Sequence, residues 1–169
     1  MIIRQEQPED VPAIRQLLLA AFPTAIENEI VDQIRDSKCE QISLVAEVDG
    51  NIVGQILFTP ATIERDAHVV QGWGLAPVSV APKSQGRGIG ATLVRQGLEE
   101  LRQQGGAFVI VLGDPQYYPK FGFQPAAQWN VQSEFGGVPA EAFMLIAFDE
   151  EAIGDGGIAK YRPEFASAV

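Results

Sequence analysis

The sequence predicts a mixed α/β fold over residues 1–169 as one domain: a sheet with both parallel and antiparallel strands and helices packed against it. Three observations carry this expectation. Apolar residues make up 46% and charged residues 20% of 169 positions, the mix of a globular chain long enough to bury one core. Asp49-Gly50 lies between two apolar runs, a strong hairpin signal. Further on, an extended run, a glycine-rich turn, a long amphipathic segment and a second apolar run follow in order, the pattern of a strand–helix–strand crossover.

The elements follow in turn. Ile2–Gln5 reads as a first strand. Val11, Ile14, Leu17, Leu18 and Ala21 fall at helical spacing, with Pro8 and Pro12 confined to the start. Ile26, Ile30 and Ile34 mark a second helix. Ile42–Val48 and Ile52–Phe58 flank the hairpin turn, and Leu75–Val80 is the next extended run. Ile89–Gln104 is a helix through Leu93, Val94, Leu98 and Leu101, stopped by Gly105-Gly106. Phe108–Leu112 and Phe143–Phe148 are apolar strands, and Gly154-Asp155-Gly156-Gly157 is a turn.

Composition excludes several functions. Lys plus Arg number 12 and Asp plus Glu 22, a net charge of −10, which opposes non-specific binding to nucleic acid or anionic lipid. The longest apolar runs, such as Ala142–Phe148, are far short of the roughly 20 residues of a membrane span. No secretory signal is apparent at the N-terminus, and a single Cys39 forms no internal disulfide, so a cytoplasmic setting is expected. One Cys and one His also argue against a protein-held metal such as zinc.

The segment richest in information is Val78-Ser79-Val80-Ala81-Pro82-Lys83-Ser84-Gln85-Gly86-Arg87-Gly88-Ile89-Gly90-Ala91. A strand ends, three alternate glycines follow, and a helix begins. Glycines let successive N–H groups converge, and the helix start adds unpaired donors and partial positive charge. This is a cradle for pyrophosphate. No Asp or Glu occurs from Ala67 to Leu98, where average composition would place about four, while Lys83, Arg87 and Arg95 do occur. Gly86-Arg87-Gly88-Ile89-Gly90-Ala91 also fits the dinucleotide fingerprint G-x-G-x-x-[GA], with Asp114 closing the next strand. Against that reading, Pro82–Gln85 separate the first glycine from the strand, and some 80 residues precede it.

Gln85-Gly86-Arg87-Gly88-Ile89-Gly90 resembles the acetyl-CoA motif Q/R-x-x-G-x-G/A of the GNAT N-acetyltransferase superfamily. Tyr118-Pro119-Lys120-Phe121-Gly122-Phe123 is similar to the Y-x-K-x-G-F run that follows the next strand there. Leu112–Tyr118 and Gly157–Phe165 resemble the YhbS-type subgroup. The resemblance spans nearly the whole chain. It implies a splayed central strand pair, with the cofactor's pantetheine arm on the exposed edge. Pro77, which lacks an N–H, is tolerated in a strand whose pairing ends there. By the same resemblance, N–H groups around Val78 and Ser79 polarise the thioester carbonyl, Val80 bonds the pantetheine, and the backbone of Gln85 to Ala91 holds the pyrophosphate.

The implied reaction moves an acetyl group from acetyl-CoA, as cosubstrate, to a small-molecule or peptide amine acceptor, in a monomer or homodimer. An ammonium of pKa about 10.4 costs roughly 4–5 kcal/mol to deprotonate at neutral pH, so a base or a water chain is needed. Tyr118 matches the family's general acid for the departing thiolate; its alternative is packing beside Phe121 and Phe123. Asp114, Glu27 and Glu29 are candidate bases, although Asp114-Pro115 also reads as a helix start and the two glutamates as helix-dipole compensation. Tyr117 reads as packing or substrate contact, His68 as an exposed loop residue, and Trp129, Phe135 and Phe143 as pocket or core aromatics. From Phe121 to Ala159 there is no cation but six acids, Glu134, Glu141, Asp149, Glu150, Glu151 and Asp155. If they wall the acceptor side, a cationic acceptor is favoured. A CoA-binding module without catalysis and a dinucleotide-binding protein are the competing functions.

Overall fold

Residues 1–168 are described by a computed structural model of the chain. Nine strands among the described residues form one sheet. They are β1 (Ile2–Gln5), β2 (Ile42–Val48), β3 (Asn51–Arg65), β4 (His68–Val80), β5 (Phe108–Leu112), β6 (Gln124–Pro125), β7 (Val131–Ser133), β8 (Phe143–Ala147) and β9 (Gly157–Lys160). The order is β1-β2-β3-β4-β5-β8-β6, with β9 joining β3 beyond the end of β2, and β7 beside β9. The β4–β5 and β7–β9 pairs are parallel and the others antiparallel, so the mixed α/β class is observed.

Alternation along the strands divides the core. Leu44, Ile56 and Phe58 bury against α3 (Ile89–Gln104) on one face, through its Leu93, Val94, Leu98 and Leu101. Val45 and Leu57, the next residues, bury against α1 (Val11–Ala21) and α2 (Ile26–Ser37) on the other, through Ile14, Leu18, Ile30 and Ile34. Asp49 and Gly50 both take positive φ, as a tight hairpin turn requires.

Three local expectations are corrected. The β3–β4 hairpin is much longer than Ile52–Phe58 and Leu75–Val80, because Pro60 is accommodated where pairing to β2 has ended at Phe58 and pairing to β9 has not begun at Thr62. His68 is exposed but opens β4 rather than lying in a loop. Asp114-Pro115 starts no α-helix: Asp114 closes a turn that leads into a short 3-10 helix at Tyr118–Phe121. A last short helix, α4 (Glu150–Ile153), precedes β9.

The feature that positions the site is the β4–β5 pair. Its pairing covers Trp73↔Val109, Gly74↔Ile110 and Leu75↔Val111 and then stops. β4 runs on to Val80 paired only to β3, with a register shift between Ile56 and Phe58 that places Ala76 and Pro77 in a bulge opposite Leu57. The edge from Ala76 to Val80 is therefore free on the side that β5 leaves.

Candidate active site

The glycine turn and α3 form one wall of the splay. Gly86 and Gly88 have φ of 74° and 79°, a conformation that costs a side-chain-bearing residue and costs glycine nothing. The first backbone bond of α3 runs from Thr92 N–H to the Gly88 carbonyl at 3.0 Å, so the N–H groups of Ile89, Gly90 and Ala91 precede the helical ladder. Arg87 is exposed at this turn, while the Ile89 side chain is buried beneath it. The Gln85 side chain donates to the Val80 carbonyl at 3.0 Å and ties the loop to the end of β4. Its backbone N–H donates to the Pro82 carbonyl at 3.4 Å, so both groups hold the loop in place.

On β4, Val78 and Val80 face α3, within 3.9 and 3.5 Å of where a Gly90 Cβ would stand. Ser79 points to the opposite face, buried, its hydroxyl 3.5 Å from the Gln55 carbonyl. Gly90 also admits the Tyr117 hydroxyl, which a Cβ would approach to 3.1 Å. The Lys120 ammonium sits 3.8 Å from the Tyr117 ring centre, and Arg95 lies 5.3 Å over Phe121. The acid-free strip therefore meets the aromatic turn on the α3 side of the splay.

Tyr118 stands at the junction. Its ring packs on Phe123 at 5.6 Å and Tyr117 at 5.1 Å, both edge-on, so the packing role is real. The same residue also lines a cavity of about 260 Å³ that opens through the splay. Burial pushes its phenol up to about 12, with the charges of Tyr117 and Asp114 adding to the effect.

The cavity runs from Tyr118, Leu112 and the β4 edge at Leu75–Val78 toward the α1–α2 face. There it meets Phe22, Glu27 and Ile30, together with Phe135, Tyr161 and Phe165. Of the candidate carboxylates, only Glu27 lines it. Its side-chain partner is the Thr24 hydroxyl, at 3.4 Å, not a cation. Glu29 is exposed elsewhere on α2. Asp114 caps its own turn, accepting from Gln116 N–H at 2.8 Å, while its carbonyl accepts from Tyr117 and Tyr118 N–H.

Two further expectations change. None of the six late acids lines this cavity. Asp149 caps α4, Glu150 accepts from Trp129, Asp155 pairs with Arg65, and Glu134 accepts the Tyr161 N–H. Among the aromatics, Phe135 reaches the cavity, whereas Phe143 is core and Trp129 packs against it. Tyr161 was not singled out as a site residue. Its ring lies over Gly74 and its hydroxyl donates to the Ile110 carbonyl at 3.3 Å, beside the splay.

Comparison with known proteins gives consistent findings. A family model described as an acetyltransferase (GNAT) domain matches residues 2–126. The chain is 34% identical over 167 residues to the uncharacterized N-acetyltransferase YhbS of Escherichia coli K12, covering 98% of each. It is 38% identical to the uncharacterized N-acetyltransferase YjhQ of the same strain, over 70% of this chain and 66% of that one. Among solved structures, Escherichia coli YhbS in complex with CoA aligns with a TM-score of 0.89 and 32% identity, over 97% of this chain and 91% of that one. A Brucella melitensis GNAT acetyltransferase in complex with acetyl-CoA aligns with a TM-score of 0.75 and 36% identity, over 97% of both.

Proposed function

The chain belongs to the GNAT acetyltransferase family, and from that premise we propose that residues 1–169 act as one domain that moves an acetyl group from acetyl-CoA to an amine, by direct attack at the β4–β5 splay. The observation that carries this reading is the cavity itself: it joins the free edge of β4, Tyr118 and one carboxylate, Glu27, in a single space. The complexes of two similar proteins with CoA and acetyl-CoA support the choice of cosubstrate.

The residues suit that ligand on their own terms. Gly86 and Gly88 carry no Cβ, and one built there would meet nothing within 4 Å, so the turn is open to a phosphate. The N–H groups of the Gln85–Ala91 backbone, at the positive end of α3, are assigned to its pyrophosphate. The β4 edge at Val78, Ser79 and Val80 is assigned to the pantetheine arm and the thioester carbonyl. Acetyl-CoA supplies the activated acetyl thioester.

The chain's own groups then divide the work. The β4 N–H groups donate to the carbonyl oxygen as negative charge builds there. Glu27 accepts the proton that the acceptor ammonium must lose, directly or through water. The amine forms a C–N bond as the C–S bond breaks, and Tyr118 donates its O–H to the leaving sulfur. A phenol pushed up to about 12 is a reluctant proton source, although its O–H still donates a hydrogen bond. Full transfer to a thiolate of ordinary pKa, about 8.5, would run uphill by roughly 5 kcal/mol. Tyr118 thus holds the thiolate by its hydrogen bond until the second proton, which the amine nitrogen sheds as the C–N bond forms, reaches the sulfur through water.

The dinucleotide reading is disfavoured by the 3-10 turn at Pro82–Ser84, which separates the first glycine from β4. One experiment tests the proposal: incubation with acetyl-CoA and a panel of amines, following thiol release and the mass of the N-acetyl product. Amine-dependent thiol release is the expected result. NAD binding without acetyl-CoA binding is the contrary one.

A further inference from the structure

The acceptor half of the cavity has a narrow chemistry. Its wall is aromatic: Phe22 at the end of α1, Phe135 after β7, and Tyr161 and Phe165 in the C-terminal segment. The rings brace one another. Phe135 stacks on Tyr161 with centres 6.3 Å apart and planes 23° apart, and Tyr161 meets Phe165 at 5.3 Å. The Tyr161 hydroxyl is already engaged with the Ile110 carbonyl. Among the described residues, Glu27 is the one charged side chain in the lining.

An apolar wall with a single carboxylate selects by charge and by polarity. A monocation gains a counter-ion at Glu27 and buries its apolar body against the rings. A second positive charge would be desolvated against those rings, with no second carboxylate among the described lining residues to meet it. A peptide would place its amides against the four rings, since the β4 edge across the cavity is taken by the cofactor in this reading. The whole cavity holds about 260 Å³ and is shared with the acetyl end of the cofactor, so its acceptor half suits a compact amine. We infer that the acceptor is a primary monoamine bearing an aryl or branched-alkyl group, its nitrogen held by Glu27 and its apolar body held by Phe135 and Tyr161. This rests on the acetyltransferase reading and narrows it.

Phe135 provides a specific handle. It also borders a second apolar cavity of about 320 Å³, lined by Val131, Val138 and Phe143, so its ring partitions the two spaces. Removing the ring takes more contact from a large amine than from a short one.

The test uses the full chain with saturating acetyl-CoA and five amines: 2-phenylethylamine, isoamylamine, ethylamine, spermidine and a lysine-containing peptide. 2-Phenylethylamine or isoamylamine is expected to exceed spermidine and the peptide in kcat/KM by about 30-fold or more. Phe135→Ala is expected to lower kcat/KM for 2-phenylethylamine about 10-fold more than for ethylamine, a ratio that a general structural loss would not move. Titration of 2-phenylethylamine into the CoA-bound protein is expected to show binding. Preference for spermidine or the peptide overturns the inference and leaves the acetyltransferase reading standing. Equal loss for both amines in Phe135→Ala removes the wall's role in selection. Failure to turn over any amine counts against both readings.

Discussion

Tyr118 reaches the cavity because Gly113, five residues earlier, has no side chain. A Cβ at Gly113 would overlap the Tyr118 ring, whose Cε2 and Cδ2 lie against that backbone. Gly113→Ala therefore has to displace the ring, and with it the hydroxyl assigned to the leaving sulfur. Its kcat is expected to fall by about 100-fold with acetyl-CoA affinity unchanged, measured by steady-state kinetics and titration. The buried phenols also leave a mark on stability. Tyr118 is raised to about 12 from an ordinary 10, and Tyr161 is raised as well, chiefly by burial. A folded-state pKa above the unfolded one gives stability that is fully present below pH 10 and is lost as pH rises toward 12. The urea midpoint of the protein is expected to drop between pH 9 and pH 11, and Tyr118→Phe to narrow that drop.

Among the elements, α3 depends on one close approach. Gly97 lies against the fully buried Phe58 of β3, and a Cβ there would overlap the ring. Gly97→Ala gains helix propensity worth about 1 kcal/mol. It also forces a packed aromatic to move, which costs about 1–3 kcal/mol or more. Because Phe58 is shut in on all sides, the overlap wins, and a net loss of about 1–2 kcal/mol is expected in urea unfolding. α3 itself was legible in the sequence to both ends, because its apolar spacing is regular and Gly88 and Gly105 mark its limits with positive φ. The far half of the β3–β4 hairpin was not. Pro60 and the polar run Glu64-Arg65-Asp66 interrupt the apolar alternation of a strand, and only the gap between β2 and β9 explains why Pro60 is accommodated. β9 was hidden for a related reason: its partners Thr62–Glu64 lie almost 100 residues earlier, and no local pattern announces such a pairing.

Across the whole molecule, charge is segregated, as the sequence indicated, but only half of its consequence follows. Arg4, Arg15 and Arg35 are taken up by Asp10, Glu47, Asp32 and Glu6. Among the described residues, no carboxylate pairs with Lys83, Arg87 or Arg95, which leaves cations beside the glycine turn for a phosphate-bearing ligand. The late acids, by contrast, serve caps and surface pairs. The cavity's carboxylate comes from α2, which chain folding brings to the splay from some 90 residues before Tyr118. Local sequence named Glu27 as one of three candidate carboxylates beside a water chain, and of the three only Glu27 lines the cavity. The aromatic wall was still less visible, since Phe22, Phe135, Tyr161 and Phe165 come from three separate segments with no shared motif.

The most direct measurement is the single-turnover rate of thiol release from saturating acetyl-CoA with an amine, for the wild-type chain and Tyr118→Phe. If Tyr118 holds the leaving sulfur at the splay, the variant binds acetyl-CoA as the wild type does and releases thiol about 100-fold or more slowly. An unchanged rate in a folded, acetyl-CoA-binding variant would contradict that role and move the chemistry away from this site.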